Sequence, residues 1–223
     1  MTHLEIELQA IKVELVSMWT LVESQLQKSK AALLNFDRDL AREVVLKEKR
    51  VNAFELKLDR DCEDVFALYC PVAVDLRFLL AVLKINNNLE RIGDIAEGIC
   101  KYIIASTNAY DPCLYARTNL VTMFEVSIKI LADTRISFEK EDTILARSIF
   151  KRDDELDKIN NEAMANVSEC IREDINLLTN SLYILSIIRK LERVGDQAKN
   201  IAEEIIFYIE AKVLKHTEDA VKK

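Results

Sequence analysis

Glycine and proline are nearly missing from this sequence, with three and two among 223 residues. A doubly wound sheet or a barrel needs turn residues roughly every ten positions, and they are not there. Neither GxxxxGK nor GxGxxG occurs, which excludes a phosphate-cradling loop and the nucleotide-hydrolysing and dinucleotide-binding enzymes built on one. Histidine is confined to His3 and His216 at the chain ends, without the Glu-x-x-His spacing of di-iron bundles. Both are read as surface residues. No serine or cysteine has a histidine placed to serve as its base, so a nucleophilic triad is not expected and no catalytic machinery is visible.

Paired cysteines, basic clusters and long apolar runs are lacking too. Cys62, Cys70, Cys100, Cys113 and Cys170 are odd in number and scattered, with no CxxC, and read as reduced, mostly core-filling thiols. The net charge of −7 is evenly spread, which argues against a nucleic-acid partner. The longest uncharged stretch, Ile175 to Ile188, falls short of the roughly 20 residues a bilayer span takes. The opening Met-Thr-His-Leu-Glu-Ile-Glu is acidic where a signal peptide is basic. A cytoplasmic protein without membrane insertion is the expectation.

What the chain does have is helical periodicity. Half the residues are hydrophobic and 31% are charged, as in a soluble chain with a substantial core. Leu4, Leu8, Ile11, Leu15, Met18, Val22 and Leu26 step by three and four, the spacing of one helical stripe. A second helix is expected after Asn35, capped by Asp37 or Asp39 and running to about Ala67. A third opens near Pro71 and carries Val82, Ile85, Leu89, Ile92, Ala96, Ile99 and Ile103. Ser106 to Pro112 is the one concentrated turn signal.

The second half then repeats the first. Adding 102 to the third-helix stripe gives Ile184, Ile187, Leu191, Val194, Ala198, Ile201 and Ile205. Leu89-Glu-Arg-Ile-Gly-Asp94 returns as Leu191-Glu-Arg-Val-Gly-Asp196, and Leu40-Ala-Arg-Glu-Val44 matches Leu145-Ala-Arg-Ser-Ile149 at an offset of 105, so a connection is three residues shorter in the second copy. The fold class is therefore all-α, a tandem repeat of two three-helix bundles with six long antiparallel helices, residues 1–108 and 109–223. Helices of 25 to 38 residues are expected, roughly 40–55 Å long, with the bundles packed end to end or side by side.

The repeated motif also carries chemistry. Glu90 and Asp94, like Glu192 and Asp196, are spaced i and i+4, so each pair projects from one helical face. Like charges at that spacing repel unless neutralised, and carboxylates there suit oxygen-seeking cations such as Mg²⁺, Ca²⁺, Mn²⁺ or Fe. One helix supplies too few ligands; the second helix of each repeat offers Glu48-x-x-x-Asn52 and Asp153-x-x-x-Asp157, with Asn52 an uncharged, weaker ligand. Against metal stand solvated ion pairs. Arg189 and Lys199 flank the second motif, Lys47 and Lys49 flank Glu48, and Glu97 adds a further carboxylate to the first motif. Gly93 and Gly195 sit inside the motifs at about 1 kcal/mol each relative to alanine, either for close helix packing or to open space beside the carboxylates.

Leu40-Ala-Arg-Glu-Val44, Asp75-Leu76-Arg77, the two LER(I/V)GD segments, Asn200-Ile-Ala-Glu-Glu-Ile205 and Lys215-His216 together resemble the PhoU family of phosphate-regulatory proteins. The resemblance implies two similar three-helix bundles and a cytoplasmic regulator rather than an enzyme. It implies repression of phosphate-starvation signalling and restraint of phosphate uptake, through the phosphate ABC transporter with its ATPase and the sensor histidine kinase. It further implies metal ions (Mg, Mn, Fe or Zn) held by Glu48, Glu90 and Asp94 in repeat one and by Asp153, Asp157, Glu192 and Asp196 in repeat two. Asn52 departs from the acidic pattern of the family. A homodimer is implied as well. The other classes left open are a metal-storing or metal-dependent hydrolytic bundle and a metal-free helical adaptor.

Overall fold

The computed structural model describes residues 2–214, and His216 with the Lys215–His216 dipeptide lies outside them. Among the described residues there are seven α-helices and no strand. The first repeat is α1 (His3–Asn35), α2 (Arg38–Tyr69) and α3 (Ala73–Ala105). The second is α4 (Pro112–Arg117), α5 (Leu120–Lys140), α6 (Thr143–Glu173) and α7 (Leu178–Glu210), with a 3-10 turn at Ile175–Leu177 before α7.

The repeat extends to the caps. Asp37 and Asp142, 105 residues apart, each accept the backbone N–H groups two and three residues on and so start α2 and α6. Each follows a left-handed residue, Phe36 or Glu141, that closes the preceding helix. Tyr69 corresponds to Asp174 at offset 105 and Ala73 to Ile175 at offset 102, so the three extra residues of the first copy are Cys70, Pro71 and Val72. They form the α2–α3 connection, and Pro71 therefore precedes the third helix rather than opening it. The second copy turns on Asp174 alone, whose carboxylate caps the 3-10 turn.

One element departs from the expected helix lengths. Asp111 caps a helix with Pro112 at its first position, but it stops at Arg117. Thr118 turns its hydroxyl onto the Leu114 carbonyl, and Asn119 takes a left-handed conformation with φ 53°. The corresponding long helix, α5, is thereby reduced to 21 residues.

The bundles lie side by side. The α3 and α7 stripes named from the sequence are wholly buried, and the core is one continuous cluster across both repeats. Antiparallel α3 and α7 form one seam between repeats and α1 with α5 the other, leaving α2 and α6 on the outer flanks. The α1–α5 seam is pinned by Trp19, fully buried, whose indole N–H donates to the Leu131 carbonyl at 3.3 Å, and by Arg135 on Glu23 at 2.9 Å. At one end Trp19, Phe138, Tyr208 and Phe78 form an aromatic cluster across both repeats, with Phe78 stacked on Phe138 and Tyr208 edge-on to both. His3 is exposed; Cys62, Cys100 and Cys170 are buried, Cys70 and Cys113 exposed, and all five are free thiols.

Candidate functional site

Each third helix lies against the second helix of its own repeat, and the two motif glycines face that contact. A β-carbon on Gly93 would stand 3.0 Å from both carboxylate oxygens of Glu48 and 3.2 Å from Val51. One on Gly195 would collide with Asp153 Oδ1 and lie 2.6 Å from Leu156 Cδ1. Both readings of the glycines therefore hold together. The helices pack closely, and what fills the space is the buried carboxylate of the neighbouring helix. Glu48 is 4% exposed and Asp153 is 2% exposed, at equivalent repeat positions.

Around each buried carboxylate the motif residues form a half-open acidic rim. Glu90 and Glu192 are half-buried, Asp94 exposed and Asp196 half-buried. Asn52 and Asp157, one turn beyond the buried groups, are both exposed. The carboxylates sense one another: burial raises Glu48 to about 7, helped by Asp94, Glu97 and Glu90 and opposed by the amide of Gln25. Burial likewise raises Asp153, with Lys199 opposing and Asp157 and Asp196 adding to the rise. Glu90, Glu192 and Asp196 are raised first by burial, with a neighbouring carboxylate contributing to each. Among the described residues, no three carboxylate, thiol or imidazole groups stand close enough together to hold a metal ion between them.

The two sites differ in how their buried carboxylate is compensated. Glu48 Oε2 accepts from Gln25 Nε2 at 2.9 Å, a neutral donor. Asp153 Oδ2 accepts from Lys199 Nζ at 3.0 Å, a charged one. Position 130, the repeat counterpart of Gln25, is Ile130, so in repeat two no amide is available and a lysine does the work. Of the flanking charges weighed from the sequence, Lys199 does offset the second site, bonding Asp153 on α6 and opposing the rise of Asp196, and Glu97 adds its charge to Glu48 while pairing with Lys101 at 2.5 Å; Lys47 is drawn away to Glu43 at 2.6 Å. In both sites one buried oxygen, Glu48 Oε1 or Asp153 Oδ1, has no hydrogen-bond partner. A buried carboxylate oxygen without a donor is costly, and it recurs at equivalent positions of the two repeats, beside a glycine and an acidic rim.

Sequence reasoning missed an extension of the first site. One turn along α2 and α3, Asn86 Nδ2 donates to the Glu55 carbonyl and to Asp59 Oδ1, at 2.9 and 3.0 Å. Asn86 is fully buried with its own Oδ1 unpartnered, and Glu55 adds to the rise of Glu90. The signal was present, since Glu55-x-x-x-Asp59 has the same i, i+4 spacing as the motifs, but it has no acidic counterpart in the second repeat, where Asn160 and Met164 stand. Gln25 had no signal at all: only folding brings α1 to α2 at that point.

The PhoU domain model matches the chain twice, over residues 15–103 and 120–205. The chain belongs to the PhoU family. It is 32% identical over 211 residues to the phosphate-specific transport system accessory protein PhoU of Edwardsiella tarda, covering 94% of this chain and 86% of that protein. It is 31% identical over 210 residues to the PhoU homolog of Aquifex aeolicus, covering 94% of each. The crystal structure of PhoU from Pseudomonas aeruginosa superposes with a TM-score of 0.88 at 29% identity, covering 93% of this chain and 99% of that one. No helix among the described residues is long and apolar enough to cross a membrane.

Proposed function

We propose that this PhoU-family chain is a metal-dependent, non-catalytic regulator of phosphate transport. The observation that carries the metal reading is the pair of buried, unpartnered oxygens, Glu48 Oε1 and Asp153 Oδ1, at equivalent positions of the two repeats. The donor chemistry suits a hard cation, since every candidate ligand offers oxygen: Glu48, Glu90 and Asp94 in repeat one, with Asn52, Glu55 and Asp59 on the same helices, and Asp153, Asp157, Glu192 and Asp196 in repeat two, side chains that would have to draw in around the ion. Mg, Mn, Fe and Zn all accept carboxylate oxygen. A bound ion would supply positive charge that neutralises the acidic rim. The chain's own part is to hold the carboxylates on rigid helices and exclude water from the innermost one. The regulatory reading rests on the relatives, whose names place them with the phosphate-specific transport system. On that reading the chain restrains uptake and starvation signalling through the transporter's ATPase and its sensor histidine kinase, in the cytoplasm and as a homodimer.

Metal analysis by mass spectrometry on untagged protein, before and after chelator dialysis, tests this. Bound metal that leaves with chelator, and is lost from repeat two in an E192A/D196A variant that still melts cooperatively, is the expected result. Metal-free protein that no cation reconstitutes would overturn the metal reading and leave a helical adaptor. Turnover of phosphoesters with added Mn²⁺ would overturn the non-catalytic one.

A further inference from the structure

Each LER(I/V)GD motif contains an arginine that offsets its neighbouring carboxylates through space, Arg91 at Glu90 and Arg193 at Glu192 and Asp196, without forming an ion pair among the described residues. Arg91 and Arg193 are exact repeat equivalents, 102 residues apart, yet they line one and the same cleft of about 410 Å³ at the α3–α7 seam. Lys190 lines it too. Its ammonium group lies 5.8 Å from the centre of the Tyr102 ring, and Tyr102 stacks on Tyr183 at 5.3 Å. It rests directly on the α3 backbone, because a β-carbon on Gly98 would be 2.6 Å from Lys190 Nζ. Lys101, also on the cleft, is paired with Glu97. Among the described residues Arg91, Lys190 and Arg193 make no salt bridge, and Asp94 is the one further carboxylate in the lining.

The seam itself does not require this charge. The repeat counterparts of Lys190 and Gly98 are Asn88 and Asn200, and those two face each other at the other half of the seam, Asn200 Nδ2 towards Asn88 Oδ1 at 3.5 Å. A neutral amide pair thus closes the same antiparallel contact in the other half of the seam. At the cleft the chain instead seats a half-buried ammonium over a mid-helix glycine, in a recess lined also by Arg91 and Arg193 and by the carboxylates of Asp94 and Glu97. Arg91, Lys101, Lys190 and Arg193 outnumber Asp94 and Glu97 in the lining, an excess of positive charge that an anion relieves, and guanidinium groups beside an ammonium match the oxygens of a tetrahedral oxyanion.

We propose that the cleft formed by Arg91, Lys190 and Arg193 binds a small dissolved oxyanion of the phosphate type, directly and without metal. The test is calorimetric titration of the full chain with inorganic phosphate in the presence of chelator. Saturable binding is expected, weakened at least tenfold in K190Q and in R91Q/R193Q. The second variant changes exposed positions, so it carries the test if K190Q fails to fold. No saturable binding by the parent protein would overturn the proposal. So would unchanged affinity in the folded variants, or binding that disappears with chelator, which would put phosphate on a metal ion instead. Binding to phosphatidate-bearing vesicles with none to inorganic phosphate would also overturn it.

Discussion

Replacing Glu48 with glutamine should stabilise the metal-free protein at alkaline pH and weaken its metal binding. Glu48 is 4% exposed, and burial raises its carboxyl from 4.5 to about 7. A carboxyl raised on folding favours the folded state only while protonated. The stability it confers is complete below about 4.5 and is lost as pH rises through about 7. Above both values the ionised side chain penalises folding by about 3 kcal/mol. Glutamine keeps the shape, its carbonyl can take over the hydrogen bond from Gln25, and its amide never ionises. Urea unfolding of chelator-treated protein, followed by far-UV circular dichroism, should therefore place E48Q about 2–3 kcal/mol above the parent at about pH 8 and near it at about pH 4. With metal added the order should reverse, since the parent alone keeps the ligand. An E48Q variant no more stable than the parent at about pH 8, or with the same gain at both pH values, would show that Glu48 is not the desolvated charge described here.

The glycines should separate by site. G195A should be destabilised by about 1–2 kcal/mol, because the clash with buried Asp153 and Leu156 exceeds the gain of about 1 kcal/mol in helix propensity; in G93A, where the contacts are 3.0–3.2 Å, the two should nearly cancel. Chemical denaturation distinguishes them, and a G195A more stable than its parent would refute the close fit. K199M should cost about 1–3 kcal/mol in chelator at neutral pH by leaving Asp153 without its donor, the loss being moderated by the 41% exposure of the lysine side chain; added metal should restore part of it, as thermal melts would read. In native protein a thiol reagent should label Cys70 and Cys113 quickly and the other three only on unfolding. Rapid modification of all five would contradict the packing of α2, α3 and α6.

Periodicity decided the helices because it is a local property. The stripes of α3 and α7 are buried where three- and four-residue steps put them, and the repeat of 102–105 residues carries its aspartate caps and left-handed stops with it. The i, i+4 carboxylate pairs were legible for the same reason, since one helix alone sets their common face. The break at Thr118–Asn119 was not, because it depends on one residue taking a left-handed backbone that the apolar pattern on either side does not report.

Everything that depends on which helices touch belonged to the tertiary structure. Side-by-side packing, rather than end to end, follows from α3 meeting α7 and α1 meeting α5. That packing brings Arg91 and Arg193 from distant motifs to one cleft, and Gly98 under Lys190. Helix pairing also divided the acidic residues. Glu48 and Asp153 became buried against glycine while Asn52 and Asp157, one turn on, stayed exposed. It gave Lys199 to Asp153 and Gln25 to Glu48, partners from other helices that no spacing within one helix could assign. A helix's own sequence states which face is apolar; which charge stands opposite a given carboxylate, and how much water remains between them, is set only when a second helix covers it.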